Sequence, residues 1–377
     1  MERFNLRLLR RVLIAAALLA GASVAVACSG SDTPTITAKS FDQHGPHKVG
    51  VTTLDLGDRQ IEVYYPVDAN AAAGKPTDSY EAADAFPESF RAFIPPAMNG
   101  SFDVGAVRNA PGSKDGPFPV VIYSHGFGGY RQVATFYLAH LASWGFVAAS
   151  ADHLERGIVA LATGKLDDAN KGIDLDDVSR TLDALRQENA REGGLLTGVV
   201  KSDSVGITGH SAGAQTSLRA AGSNQEIDAF VSISGGISIM GEPNPPMPNK
   251  PALVLAAADD KVVPAAKSLA LYDALGGPKY FVEIGNSGHN SFTDSCPVIL
   301  ERGGLEQLRP LLKDLVDLAQ DGCTPGVTDP YAVQRVLGHY SVAFFLTYLS
   351  GRSEVATLAA PPPASAGTIA LSSQQHA

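Results

Sequence analysis

The sequence predicts the α/β class, with a mostly parallel central sheet and helices on both faces. Three observations carry this. From Pro119 to Leu349, short apolar runs of strand length alternate with segments of helical period, the pattern of parallel strands joined by crossover helices. The runs are mostly apolar along their length, as strands covered on both faces are. The chain is also long enough to bury a sizeable core, at 377 residues with 45% apolar and 18% charged. This composition excludes a disordered chain, a collagen-like repeat and a small disulfide-stapled domain. The net charge of −10 argues against a general nucleic-acid binder, because phosphate backbones select basic surfaces.

The elements follow in chain order. Arg3, Arg7, Arg10 and Arg11 stand against one acid, Glu2, and an uncharged apolar run extends from Val12 to Ala27. That run is shorter than the roughly 20 residues a spanning helix needs. Residues 1–27 therefore read as a secretory signal ending in the cleavage site Ala25-Val26-Ala27. Cys28 follows at once, so Val24-Ala25-Val26-Ala27-Cys28 also resembles a bacterial lipobox. The expectation is an exported protein, either a cell-envelope lipoprotein held to the membrane through a lipidated Cys28 or a secreted or periplasmic one. Cleavage removes four of the 29 bases and one of the 39 acids, leaving 25 and 38, a net charge of −13. Residues 28–47 are rich in Ser and Thr and read as a flexible tether. The main folded domain is expected over 48–350, and 351–377, with Pro361-Pro362-Pro363, as a disordered tail.

Within the domain, Val49–Leu56 and Gln60–Val67 form a hairpin about Gly57-Asp58-Arg59. Residues 68–117 form a long irregular connection holding Tyr80, Phe86, Phe90, Phe93, Met98 and Phe102. Two readings stand: an apolar flap over the substrate, or a surface excursion anchored by its aromatics. Strands are expected at Pro119–Tyr123, Phe146–Ala151, Ser204–Thr208, Ile227–Ile233, Ala252–Ala256 and Tyr280–Ile284. Helices are expected at Arg131–Ser143, Asp174–Glu188, Ser211–Ala221, Pro264–Leu275, Leu305–Leu318 and Val333–Leu349. The acids opening the Asp174 helix suit the positive end of its dipole.

The chemistry-bearing residues sit at strand ends. Gly209-His210-Ser211-Ala212-Gly213 matches G-x-S-x-G between a strand and a helix, the sharp turn that exposes a serine Oγ. Ser211 is the candidate nucleophile. It needs a base, and His289 in Ser287-Gly288-His289 is the one histidine of nine that follows both the serine and a strand end. The acid is Asp259 or Asp260, after the strand Ala252–Ala256, and the other of the two would cap the next helix. Oxyanion donors are expected at the N–H groups of Ala212 and of Phe127, in the loop Ser124-His125-Gly126-Phe127-Gly128-Gly129. His125 reads as a structural loop residue and His210 as local packing. Asp152-His153 lies near the site rim without an assigned role. In an exported chain Cys296 and Cys323 are expected to pair as a disulfide. Two cysteines without a nearby His pair argue against a metal site.

These segments resemble the α/β-hydrolases, in particular the bacterial polyester hydrolase and cutinase group and its dienelactone-hydrolase-like and platelet-activating-factor-acetylhydrolase-like relatives. The similar stretches are Tyr123–Gly129, Leu141–Val147, Gly209–Gly213, Asp260-Lys261-Val262-Val263-Pro264 and Ser287–His289. The resemblance covers about residues 48–350. It implies the α/β-hydrolase fold and cofactor-free ester hydrolysis on a small-molecule, lipid or polymer ester. It selects Asp260 over Asp259 and places the oxyanion donors on Phe127 and Ala212. A longer turn at Gly128-Gly129-Tyr130, the 68–117 segment and the single Trp144 depart from the polyester hydrolases. The remaining alternatives are a phospholipid acetylhydrolase or lipase, amide hydrolysis by the same triad, and a catalytically silent surface lipoprotein that binds a ligand.

Overall fold

The computed structural model describes residues 38–92, 99–166, 172–239, 244–301, 305–306, 309–363 and 371–376. The signal segment, Cys28, Phe93 and Met98 lie outside them. Twelve strands are present among the described residues. They are β1 (Lys48–Asp55), β2 (Gln60–Val67), β3 (Ser79–Glu81), β4 (Ser101–Asp103), β5 (Val107–Arg108) and β6 (Phe118–Ser124). β7 (Val147–Ala151), β8 (Val200–His210), β9 (Ala229–Ile233), β10 (Ala252–Ala257), β11 (Lys279–Ile284) and β12 (Leu371–His376) follow. The main sheet is ten-stranded, in the order β12-β11-β10-β9-β8-β6-β7-β2-β1-β5. From β7 across to β11 every neighbouring pair is parallel. The hairpin β1–β2 joins antiparallel through β2 and β7.

Successive residues of the central strands feed two separate cores. Leu253 and Leu255 of β10 pack on one face with Tyr137, Leu141, Val336 and Phe344 from the helices Thr135–Ser143 and Pro330–Leu349. Val254 and Ala256 pack on the other with Leu182, Leu218 and Leu271 from Ile173–Ala190, Ala212–Ser223 and Ala265–Ala274. Period-two alternation thus buries both faces, which explains the unbroken apolar runs. This is an α/β fold of three layers, as expected.

Three expectations need correction. Residues 38–47 are not a free tether. Phe41 is buried, stands edge-on to Trp144 at 4.8 Å, and its carbonyl accepts from His140 Nε2 at 2.7 Å. One buried aromatic with main-chain hydrogen bonds outweighs the polar composition around it. The 351–377 segment is not wholly disordered. A short helix, Val355–Ala359, buries Leu358, and β12 pairs antiparallel with β11. That pairing satisfies a main-chain edge that β11 would otherwise expose, irrespective of side-chain composition. Finally, 68–117 is partly ordered: β3 pairs with β4, and buried Tyr80 stacks on Phe102 at 4.8 Å. Tyr80 Oη donates to the Gln132 carbonyl at 2.8 Å, which fixes the excursion to the body.

Candidate active site

β8 runs directly into the helix Ala212–Ser223, and Ser211 between them takes φ 57° and ψ −122°. A non-glycine residue held at positive φ is strained, and such strain gathers at functional turns. The flanking glycines make the turn sterically feasible. A Cβ on Gly213 would lie 1.8 Å from the Ser124 carbonyl oxygen, and one on Gly209 would lie 2.2 Å from the Gly213 carbonyl oxygen. The first helical donor to the Ser211 carbonyl is Ala214 N–H, so the Ala212 N–H is one of the orphan donors of a helix start.

The neighbouring strand β6 ends in the loop that carries Phe127. Gly129 N–H closes a turn onto the Gly126 carbonyl at 3.1 Å, and Gly128 supplies the positive φ, 71°, that a type II turn needs. His125 props this loop from beneath. Its Nδ1 donates to the Gly126 carbonyl at 2.8 Å, and its Nε2 accepts from His153 N–H at 2.9 Å. Those partners assign the neutral tautomer. Burial, with repulsion from His153 and Arg156, holds its pKa well below the usual value. The structural role expected for His125 stands.

Asp260 and His289 leave the C-terminal ends of adjacent strands, β10 and β11. His289 Nδ1 donates to Asp260 Oδ2 at 2.8 Å. Asp260 Oδ1 accepts from the N–H groups of Val262 (2.9 Å) and Val263 (2.7 Å), which orients the carboxylate. Burial would raise this carboxyl. The hydrogen bond and charge of His289, with the Val263 N–H and the Ser234 hydroxyl, outweigh it and hold its pKa below the ordinary value. Asp259 is exposed and meets the Ser287 carbonyl only through its main-chain N–H. His210 packs its ring on His289 at 4.5 Å and donates Nε2–H to the His289 carbonyl at 2.8 Å. Burial and repulsion from His289 push its pKa down to about 3, so it stays neutral.

Ser211, His289, Phe127 and Ala212 all line one cavity of about 440 Å³. Its other walls include Phe86 and Phe102 from the 68–117 excursion, so that excursion is both anchored and part of the wall. Among the described residues none of its lining side chains is Lys, Arg, Asp or Glu.

Several residues behind the site escaped the sequence reading. Arg156, buried, donates to Ser124 Oγ at 2.8 Å, to the His125 carbonyl at 3.0 Å, to Thr216 Oγ1 at 3.0 Å and to Asp174 at 3.1 Å. It thus ties the loop that carries Phe127 to the helix behind Ser211. His153 bridges Ser124 Oγ (2.8 Å) and Asp177 Oδ2 (2.9 Å), and Asp177 also takes Arg59 at 2.7 Å. Asp174 and Asp177 are therefore buried ion-pair partners rather than solvated acids at a helix start. The Asp152-His153 pair near the rim splits in role, since Asp152 holds Arg131 at 3.0 Å. Cys296 and Cys323 are disulfide-bonded, as expected.

The sequence profile of the platelet-activating factor acetylhydrolase, isoform II, family matches residues 36–192, a stretch that ends before Ser211. A platelet-activating factor acetylhydrolase of Cavia porcellus is 30% identical over 129 residues. That match spans 31% of this chain and 29% of the relative. The solved ferulic acid esterase from Streptomyces cinnamoneus superposes with a TM-score of 0.59 at 23% identity, covering 89% of this chain and 99% of that one. The chain thus shares the fold of that esterase, and over residues 36–192 it is similar to the isoform II acetylhydrolases.

Proposed function

We propose that the chain is a serine carboxylic ester hydrolase working through an acyl-enzyme. The observation that carries this reading is the 2.8 Å His289–Asp260 hydrogen bond beside a strained Ser211 at one uncharged cavity. In the proposed cycle Ser211 Oγ attacks the ester carbonyl carbon while His289 Nε2 takes its proton. Asp260, already bonded to Nδ1–H, holds the tautomer with Nε2 free and stabilises the imidazolium. The Phe127 and Ala212 N–H groups receive the oxyanion. The C–O bond then breaks, and His289 returns the proton to the leaving alcohol. Water, activated by His289, adds to the acyl-enzyme and releases the acid.

The apolar walls fit the acyl or alcohol part of a neutral ester. The profile match favours one narrower reading, removal of a short acyl chain from a phospholipid-like ester. Export through residues 1–27 and lipidation of Cys28 belong to the same proposal, and the intact mass of the mature chain separates lipoprotein from free secretion. The function itself is tested with p-nitrophenyl esters from acetate to palmitate, beside Ser211→Ala. Turnover lost by a factor of about 10⁴ or more in the variant is the expected result. A folded wild type that cleaves no ester overturns the reading and leaves a ligand-binding lipoprotein in its place.

A further inference from the structure

Asp321 stands apart from the strand ends that carry the site, just after the helix Arg309–Gln320. It is buried, and its Oδ2 accepts two main-chain N–H groups, from Lys261 at 2.9 Å and from His289 at 3.0 Å. The first donor directly follows the acid, and the second belongs to the base itself. Further contacts seat the same segment. The Asp321 carbonyl accepts from Asn290 N–H at 2.8 Å, and Asn290 Nδ2 donates to the Leu318 carbonyl at 2.6 Å. Gly288 and Gly322 meet backbone to backbone, so that a Cβ on Gly288 would lie 2.4 Å from Gly322 N. Cys323 is bonded to Cys296, on the helix Ser295–Glu301 that follows the His289–Phe292 turn.

We propose that Asp321 is a positioning residue for the acid–base pair, fixing the Asp260 loop against the His289 loop. This rests on the proposed hydrolase reading. One carboxyl oxygen shared by both loops sets their separation. Two buried N–H groups lose their acceptor when the carboxylate is removed, and each loop must then find water or a new partner. His289 Nδ1 leaves its line to Asp260 Oδ2 as the loops re-seat. Displacements of about 1 Å in catalytic groups cost about 100-fold in rate. A merely structural Asp321 would change how much protein folds, yet leave each folded molecule as reactive as before.

The test uses the full chain with Asp321→Ala and Asp321→Asn. Two readouts are taken on samples with matching near-ultraviolet circular dichroism. One is the rate at which a fluorophosphonate modifies Ser211. The other is the downfield proton resonance of His289 Nδ1–H, assigned by its loss in Asp260→Asn. Asp321→Ala is expected to slow modification by about 10- to 100-fold and to lose or broaden the resonance. Asp321→Asn, which keeps an acceptor oxygen, is expected to restore both, with KM for a cleaved ester unchanged in either variant. A folded Asp321→Ala that reacts at the wild-type rate with the resonance intact overturns the proposal. Should Asp321→Ala fail to fold, Asp321→Glu replaces it. Its carboxylate sits one methylene too far, so slowed modification supports the clamp and an unchanged rate overturns it. If the wild type itself does not react, the hydrolase reading falls and the resonance alone decides. Present in wild type and absent from Asp321→Ala it supports the clamp, and present in both it overturns it.

Discussion

The two halves of the site are built by different means. Ser211 and the Phe127 loop leave β8 and β6, which lie side by side with Tyr123 opposite Thr208 and Ser124 opposite Gly209. Behind them stand the buried side-chain charges of Arg156, Asp174, Asp177 and Arg59, with the His153 ring between Ser124 and Asp177. Asp260 and His289 leave β10 and β11, also neighbours, but their loops are seated from outside the sheet. There the contacts are main-chain N–H groups on Asp321, a close glycine pair and one disulfide. The first half draws its geometry from the sheet and from the geometry of a guanidinium fork. The second has the Asp321 segment packed against both of its loops.

The largest expected effect falls on the first half. Arg156→Met removes a buried guanidinium that serves Ser124, His125, Thr216 and Asp174 together. Breaking a buried pair by deleting one partner costs about 3–5 kcal/mol, because the remaining charge and acceptors stay buried. Arg156→Lys is expected to recover little, since an ammonium cannot reproduce the fork. Urea midpoints of the three proteins check this. A loss within about 1 kcal/mol for Arg156→Met, the size of an exposed pair, would dissolve the contrast between the halves.

The next effect falls on the second half. Replacing Cys296 and Cys323 together by Ser opens a loop with a sequence separation of 27. Closing such a loop is worth about 2–4 kcal/mol. The distinguishing result is kinetic. Because Cys323 lies two positions after Asp321, the open form is expected to lower kcat per folded molecule as well as the thermal midpoint. Lost stability with kcat unchanged would show that the glycine contact and the Asp321 hydrogen bonds seat the base without the disulfide.

The contrast also explains what the sequence reveals. The Ser211 turn is legible because its requirements are local: glycines two positions to either side of a serine, a strand before and a helix after. Asp260 and His289 are legible because each follows an apolar strand buried on both faces. Arg156, Asp177 and Asp321 are not, since their partners lie far away in the chain. Arg59 and Asp177 are 118 positions apart, and Lys261 and Asp321 are 60 apart. Asp174 and Asp177 even misdirect, because acids at a helix start are explained by the dipole alone. Composition misleads in the same way at residues 38–47, where buried Phe41 and main-chain hydrogen bonds from Gly45 and His47 to Ser143 anchor an otherwise polar stretch.

The last effect is a slope with pH, and it concerns a residue that joins the halves. Asp294 follows the His289 turn, and it accepts from Thr135 N–H at 2.7 Å and Phe136 N–H at 3.4 Å, at the start of the helix that follows the Phe127 loop. Tyr80 Oη also reaches it, at 3.4 Å. Burial pushes its pKa up to about 7, against the pull of those N–H donors. An unfolded Asp titrates near 3.9, so between about pH 4 and pH 7 the fold holds a proton that the unfolded chain has lost. Unfolding then releases a proton, and this contribution to stability falls as pH rises through that window and levels off above it. Asp294→Asn is nearly isosteric with the protonated acid. It is expected to leave the urea midpoint almost unchanged at the acid end and to fall less steeply toward pH 8. Other groups titrate over the same range, so the difference between the two pH curves isolates Asp294. Parallel curves would mean that Asp294 is ionised throughout and joins the halves as a charged helix cap, a stronger tie between them than a neutral one.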